Sequence, residues 1–269
     1  MRKETLKIAF LQQDIFWEDK SENYCRVERC LASMEADVDV IVLPETFNTG
    51  FGNEMSQMAE PADGATLDFA RRMAARHDAM FVASWIVSDG DDGQRVVNRM
   101  HFVRPDGGYN YYDKAHTFRM SSEFGQVARG SERVTVEWRG WLLRAAVCYD
   151  LRFPMWLRNA YDPQREAMDY DVLMLCANWP SARIDAWNTL LRARAIENES
   201  YVVGVNRTGT DGMGLQYNGH SQAIDFKGNV LSEGCDGAER LHYVSFSAVA
   251  LDDFRRRWPF YLDFDNSVS

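Results

Sequence analysis

A mixed α/β sandwich holding two sheets' worth of strands is the fold class this sequence predicts, and three observations predict it. Apolar runs alternate with helical periodicities in the N-terminal third, paired turn signals follow in the middle, and a strand, a long helix and another strand return later. Parallel units interleaved with antiparallel ones fit a layered sandwich better than a simple doubly wound sheet.

Each element follows from its own pattern. Residues 6–11 read as a strand, and Tyr24, Val27, Leu31 and Met34 recur at helical spacing on one face. Residues 38–43, apolar apart from Asp39, form a strand; Leu67, Ala70, Met73 and Ala74 mark a second helix; residues 80–87 are strand again. Asp89-Gly90 and Asp92-Gly93 predict a hairpin, Asp106-Gly107-Gly108 a turn, and Arg139-Gly140 a tight link between strands at 134–138 and 141–147. Pro154 is expected to open a helix through residue 161. A strand at 171–176, a helix from about 183 to 199 bearing Trp187, Leu190 and Leu191, and a strand at 201–205 come next. The Asp211-Gly212-Met213-Gly214 loop then leads to short strands ending near Phe246.

The chain has 269 residues, 46% of them apolar, and 30 basic against 40 acidic side chains give a formal charge of −10. That balance argues against a general nucleic-acid or anionic-membrane partner. No repeat, low-complexity block or linker interrupts it, so residues 1–269 are expected to form one domain. No apolar run approaches the ~18 residues of a membrane span, and no export signal is visible at the N-terminus. The five cysteines (25, 30, 148, 176 and 235) are odd in number and scattered, which fits reduced thiols in a cytoplasm.

Motif searches for a nucleotide loop, a nucleophile-elbow serine or a zinc site are negative, and the five dispersed histidines form no ligand cluster, so no cofactor or metal is expected. Three residues stand just beyond buried strands, where α/β proteins place working groups: Glu45 after Leu43-Pro44, Lys114 after an aromatic strand, and Cys148 after residues 142–147. Taken singly, each has an ordinary explanation as a loop acid, a solvated lysine or a structural thiol. Cys176, also at a strand end, is the internal control. Together, a thiol nucleophile, a carboxylate that shuttles its proton and an ammonium beside the oxyanion suffice for amide hydrolysis, with the Tyr149 N–H as a further oxyanion donor. His116, two positions past Lys114, offers a competing Cys-His pair that spacing does not exclude.

Leu43-Pro44-Glu45-Thr46-Phe47, Tyr112-Asp113-Lys114-Ala115-His116 and the run from Val147-Cys148-Tyr149 to Pro154 resemble, in order, the Glu, Lys and Cys motifs of the nitrilase, or carbon–nitrogen hydrolase, superfamily. The likeness continues through Ala177-Asn178-Trp179-Pro180 and the segment 193–198, and within the superfamily it is greatest to omega-amidases, which remove the terminal amide of 2-oxoglutaramate and 2-oxosuccinamate. The resemblance implies a four-layer α-β-β-α sandwich that dimerises, or assembles further, into a longer stack. It assigns Glu45 as base, Lys114 as oxyanion stabiliser and Cys148 as nucleophile, in place of the histidine pair. It also matches Glu123 to a second glutamate that orients the lysine, although Phe124-Gly125-Gln126 departs from the expected segment.

An omega-amidase must hold a substrate carboxylate, which calls for a local guanidinium; Arg152 and Arg183 are the candidates, with Phe47 and Trp179 as pocket walls. The alternatives are another carbon–nitrogen substrate (a carbamoyl amino acid, an aliphatic amide or a nitrile) and a silent subunit of the same fold. A silent subunit should lack one of the three chemical residues, and this chain retains all three.

Overall fold

In a computed structural model that describes residues 2–52, 54–90, 95–234 and 237–264, the chain alternates strands and helices as its patterning requires. Strand β1 (Thr5–Gln12) leads to α1 (Lys20–Leu31), whose first turn is capped by the Asp19 carboxylate accepting from Glu22 N at 3.0 Å. Strand β2 (Val40–Val42), helix α2 (Ala65–His77) and strand β3 (Met80–Asp89) complete the β-α-β-α-β series. Two antiparallel strands follow, β4 (Arg95–Val103) and β5 (Tyr109–Asp113). The β6 (Thr135–Trp138) and β7 (Trp141–Val147) pair turns through Arg139 and Gly140, both at positive φ, 50° and 80°.

The second half contains β8 (Val172–Ala177), α3 (Ile184–Glu197) and β9 (Tyr201–Asn206). A small β10 (Thr208–Thr210) and β11 (Gln216–Asn218) hairpin comes next, then β12 (Ser221–Ile224), β13 (Val230–Gly234), β14 (Arg240–Ser247) and α4 (Ala248–Arg257). One sheet runs β14-β1-β2-β3-β4-β5 and the other β13-β12-β9-β8-β7-β6. In each, three parallel strands form the centre and antiparallel strands flank them.

Burial explains the layers. Val40 and Val42 face the core between the sheets, with Val147, Met174 and Val203 opposite, whereas Ile41 and Leu43 face outward under α1 and α2. A strand buried on both faces has no polar side to show, hence the unbroken apolar run. The second sheet covers its outer face with α3 through Trp187, Leu191 and Ala195. The result is the α-β-β-α sandwich, with α4 closing one end of the inter-sheet core through Leu251.

Three sequence expectations need correction. Residues 154–161 form no helix: 154–157 are a turn and Tyr161 pairs with Met168 in a short strand, while Asn159 donates its side chain to Tyr170 O and Asn198 O, and Asp162 is held extended by the following Pro163. Helix α1 ends at Leu31, so Met34 packs from the turn beyond it. The last strand is a full eight-residue partner of β1, and α4 was not foreseen. The β3–β4 hairpin is present, but its expected Asp92-Gly93 tip and Cys235 lie outside the described residues.

His101 of β4 is buried against Trp85, its ring 3.6 Å away and parallel. Burial, with the nearby charge of Arg99, holds its pKa well below the ordinary value of 6.5, so the folded state keeps it neutral. The unfolded chain binds this proton as pH falls below about 6.5 and the folded chain does not, so stability is lost on acidification. His101→Phe is expected to remove about 2 kcal/mol of the stability loss between pH 7 and pH 5; urea unfolding at the two pH values measures it.

Candidate active site

The ends of β2, β5, β7 and β8 converge on one cavity, as α/β architecture favours. Pro44 ends the β2 ladder and Glu45 turns inward, where its side chain is fully buried. Lys114 leaves β5 with its backbone fixed by Lys114 N donating to Asn98 O at 2.9 Å. Its Nζ lies 2.9 Å from Glu45 Oε1 and 2.8 and 2.9 Å from the two oxygens of Glu123. Cys148 follows β7 directly, and its sulfur stands 3.8 Å from Asn178 O at the end of β8. Glu45, Lys114, Glu123 and Cys148, far apart in sequence, therefore meet.

Charge pairing stabilises this cluster away from water. Burial acts to lower the Lys114 pKa, but the Glu123 and Glu45 carboxylates outweigh it and hold the amine above its usual range, so it stays an ammonium. Burial raises Glu123, against the pull of Lys114. Burial, then the negative charge of Glu45, pushes the Cys148 thiol well above its ordinary value, with Lys114 opposing. At neutral pH the sulfur therefore rests as a thiol.

Backbone strain marks the same two turns. Cys148 has φ 44° and Thr46 φ 44°, left-handed conformations rarely adopted by side chains of these kinds. Thr46 is held by its N–H donating to Ser84 Oγ at 3.1 Å, and Cys148 opens a helical turn at Cys148–Arg152 that leaves Tyr149 lining the cavity.

The cavity measures about 330 Å³. Lys114 and Cys148 form its floor, Phe51, Phe118, Tyr149 and Trp179 its walls. Arg152 and Arg183 both line it, exposed to solvent; their guanidinium groups lie over Trp179 at 5.0 Å and Phe118 at 5.2 Å. Neither makes an ion pair among the described residues. Phe47 is a correction: beyond the Thr46 turn it points to the helix side, packed among Tyr24, Phe69, Phe81 and Trp85 and remote from the cavity lining. The control cysteine, Cys176, is sealed in the inter-sheet core. His116 directs Nδ1 to Asp150 at 2.8 Å and stacks on Phe153, so its ring is committed to structure.

Three residues went unrecognised in the sequence. Asn98, inside β4, donates to Glu45 Oε1 at 2.8 Å and Glu123 Oε1 at 3.3 Å, bridging both carboxylates. Asn178 donates its backbone N–H to Glu45 Oε2 at 2.9 Å and its amide to Glu45 O at 2.7 Å. Asp150, fully buried, accepts from Tyr112 OH, Val147 N and His116 N at 2.7, 3.0 and 3.0 Å. It thus ties the Cys148 turn of one sheet to the Lys114 segment of the other. A polar residue inside an apolar run was the available signal for Asn98; position beside Cys148 was the signal for Asp150.

Fold and site together define an amidohydrolase that acts on carbon–nitrogen bonds. Residues 7–256 match the carbon-nitrogen hydrolase family, and the chain belongs to it, in the omega-amidase branch of the nitrilase superfamily. It is 41% identical over 261 residues to omega-amidase YafV of Yersinia enterocolitica, covering 97% of each chain. It is 34% identical over 230 residues to 2-oxoglutaramate amidase of Bacillus subtilis, covering 84% of this chain and 85% of that protein. The crystal structure of XC1258 from Xanthomonas campestris, a CN-hydrolase superfamily protein with an arsenic adduct in its active site, superposes with a TM-score of 0.95 at 42% identity, covering 99% of this chain and 100% of that one.

Replacing Asp150 by Asn puts an amide N–H against a cluster of donors and loosens the tie between the two sheets. The expected outcome is a fall in kcat of about a hundredfold with little change in KM. Steady-state ammonia release checks it, and a variant that melts earlier yet keeps full kcat contradicts the positioning role.

Proposed function

We propose that the protein is an omega-amidase that releases ammonia from the terminal amide of 2-oxo acid amides, 2-oxoglutaramate and 2-oxosuccinamate among them. The observation that carries this reading is the charge of the cavity wall: Arg152 and Arg183 line it, and among the described residues no Asp or Glu does, in a chain of net charge −10. A substrate bearing a carboxylate at one end and an amide at the other matches a cavity with guanidinium groups on its wall and a thiol on its floor. The omega-amidases and 2-oxoglutaramate amidase to which the chain is similar support the same choice.

In the mechanism we assign, Cys148 Sγ attacks the amide carbon as Glu45 removes the thiol proton. Negative charge on the carbonyl oxygen is stabilised by the Lys114 ammonium and the Tyr149 N–H, both pre-organised at little reorganisation cost. Glu45 returns the proton to the nitrogen, the C–N bond breaks, and ammonia leaves a Cys148 thioester. Glu45 then deprotonates water, which attacks the thioester, and the released sulfur takes the proton back as the carboxylic acid departs. Glu123 orients Lys114 throughout. No cofactor enters this sequence. We read residues 1–269 as one hydrolase domain working in the cytoplasm as a homodimer or higher homo-oligomer; the free state of Cys25, Cys30, Cys148 and Cys176 supports the reducing compartment.

Ammonia release from 2-oxoglutaramate and 2-oxosuccinamate, beside a simple amide, a carbamoyl amino acid and a nitrile, tests the assignment. Wild type is expected to prefer the oxo acid amides, and Cys148→Ala and Glu45→Gln to abolish turnover. Arg152→Met or Arg183→Met should raise KM for the oxo acid amides about tenfold, as loss of a charge-assisted contact does, and leave the neutral amide unaffected. Undiminished release by Cys148→Ala defeats the mechanism; preference for a nitrile or carbamoyl substrate defeats the substrate class.

A further inference from the structure

Two loops from opposite sides place apolar side chains in water at the mouth of the cavity. Met120 lines it while 79% exposed, and Met213 and Leu215 line it while 41% and 45% exposed. Neither loop is a loose tail. The β10–β11 hairpin is organised by the buried Asp211 carboxylate, which accepts from Met213 N and Leu215 N at 2.9 Å each and from Tyr217 OH at 2.9 Å. The Met120 turn is fixed by Ser121 N donating to Phe118 O at 3.1 Å, and Phe118 N in turn donates to Glu123 Oε2 at 2.6 Å. Solvated apolar groups held rigidly around an opening are a binding surface by physical criteria, and thioethers adapt to apolar ligands of varied shape.

The floor decides which part of a substrate reaches that surface. Glu45 has no solvent exposure and is enclosed by Lys114, Asn98 and Asn178. If Glu45 delivers the proton to the leaving nitrogen, that nitrogen sits at the closed end, where a substituent has no room. The acyl chain must then run outward past the arginines to the rim. A five-carbon oxo acid amide has only about ten non-hydrogen atoms, few for a cavity in the size range that takes drug-sized ligands.

Resting on the amidase reading above, we propose that Met120, Met213 and Leu215 form an apolar subsite for the acyl chain, so that the substrate class extends to primary amides of longer, apolar-chained carboxylic acids. The hydrolysis is unchanged: water adds across the C–N bond and ammonia leaves.

The test uses the full chain and the monoamides of straight-chain dicarboxylic acids from succinic to suberic, with 2-oxoglutaramate and an N-methyl amide alongside. The subsite predicts that kcat/KM rises about threefold per added methylene, mainly through KM. It also predicts that the N-methyl amide is not turned over. In Leu215→Ser and in Met120→Gln, both exposed positions, the suberic-to-succinic ratio of kcat/KM should fall several-fold; thermal unfolding of each variant verifies that it is folded. A flat or falling series in wild type, a ratio unchanged in both variants, or turnover of the N-methyl amide overturns the proposal. Turnover of 2-oxoglutaramate with a flat series sinks the subsite alone, whereas turnover of the suberic monoamide without that of 2-oxoglutaramate sinks the omega-amidase reading alone. Ammonia from none of them overturns both.

Discussion

The constraint on which the rest of this structure depends is the burial of one ammonium between two carboxylates. An amine without exposure, as Lys114 is, would lose its proton if it were alone, and Glu45 and Glu123 supply the charge that keeps it. Removing one partner from such a buried set leaves an uncompensated charge and costs about 3–5 kcal/mol. Stability alone would be served as well by apolar residues of similar volume, so the cluster is better explained by chemistry than by folding energy. Each carboxylate also has neutral donors that fix its geometry: Asn98 and Asn178 on Glu45, Phe118 N on Glu123. Such satisfaction is what lets a polar network remain in a dry interior.

Holding four side chains from two sheets in register requires more than the inter-sheet core, which is apolar and non-directional. Asp150 supplies direction. It accepts from the chain on both sides of the gap, and Tyr112 OH, which it holds, also receives Trp156 Nε1 at 3.0 Å and Ala115 N at 3.2 Å. The left-handed φ angles of Cys148 and Thr46 persist because neighbouring bonds of this kind over-determine them. Strain at the thiol and at the residue after Glu45 thus sits beside the buried hydrogen bonds of Asp150 and Asn178.

What the sequence made legible follows from this physics. Unbroken apolar runs such as 40–43 announce burial on both faces, and the amphipathic Leu67, Ala70, Met73 stripe announces a covering helix, so the layers were readable. Glu45, Lys114 and Cys148 were readable because short motifs surround them. Asn98 was not, since its partners lie 53 and 25 residues away and no local pattern links them. Phe47 was misplaced because a single left-handed residue, Thr46, redirects the chain, and periodicity carries no trace of such a turn. The failed helix at 154–161 has a similar origin: Pro154 is a good helix opener, but Asn159 is held by contacts from the end of α3 that only the folded chain provides.

The raised pKa of Cys148 bears on how the site avoids wasteful chemistry. A permanent thiolate beside Lys114 would react with any electrophile small enough to enter. Burial and the Glu45 charge keep the sulfur protonated, and Glu45, hydrogen-bonded to Lys114, Asn98 and Asn178 at once, is a carboxylate whose position is fixed before substrate arrives. Under the mechanism proposed above, a carbonyl oxygen placed against Lys114 would meet the same ammonium that serves the two carboxylates just as the sulfur begins to bond. On that proposal, the salt-bridged cluster that keeps the thiol protonated at rest is also the one that receives the amide.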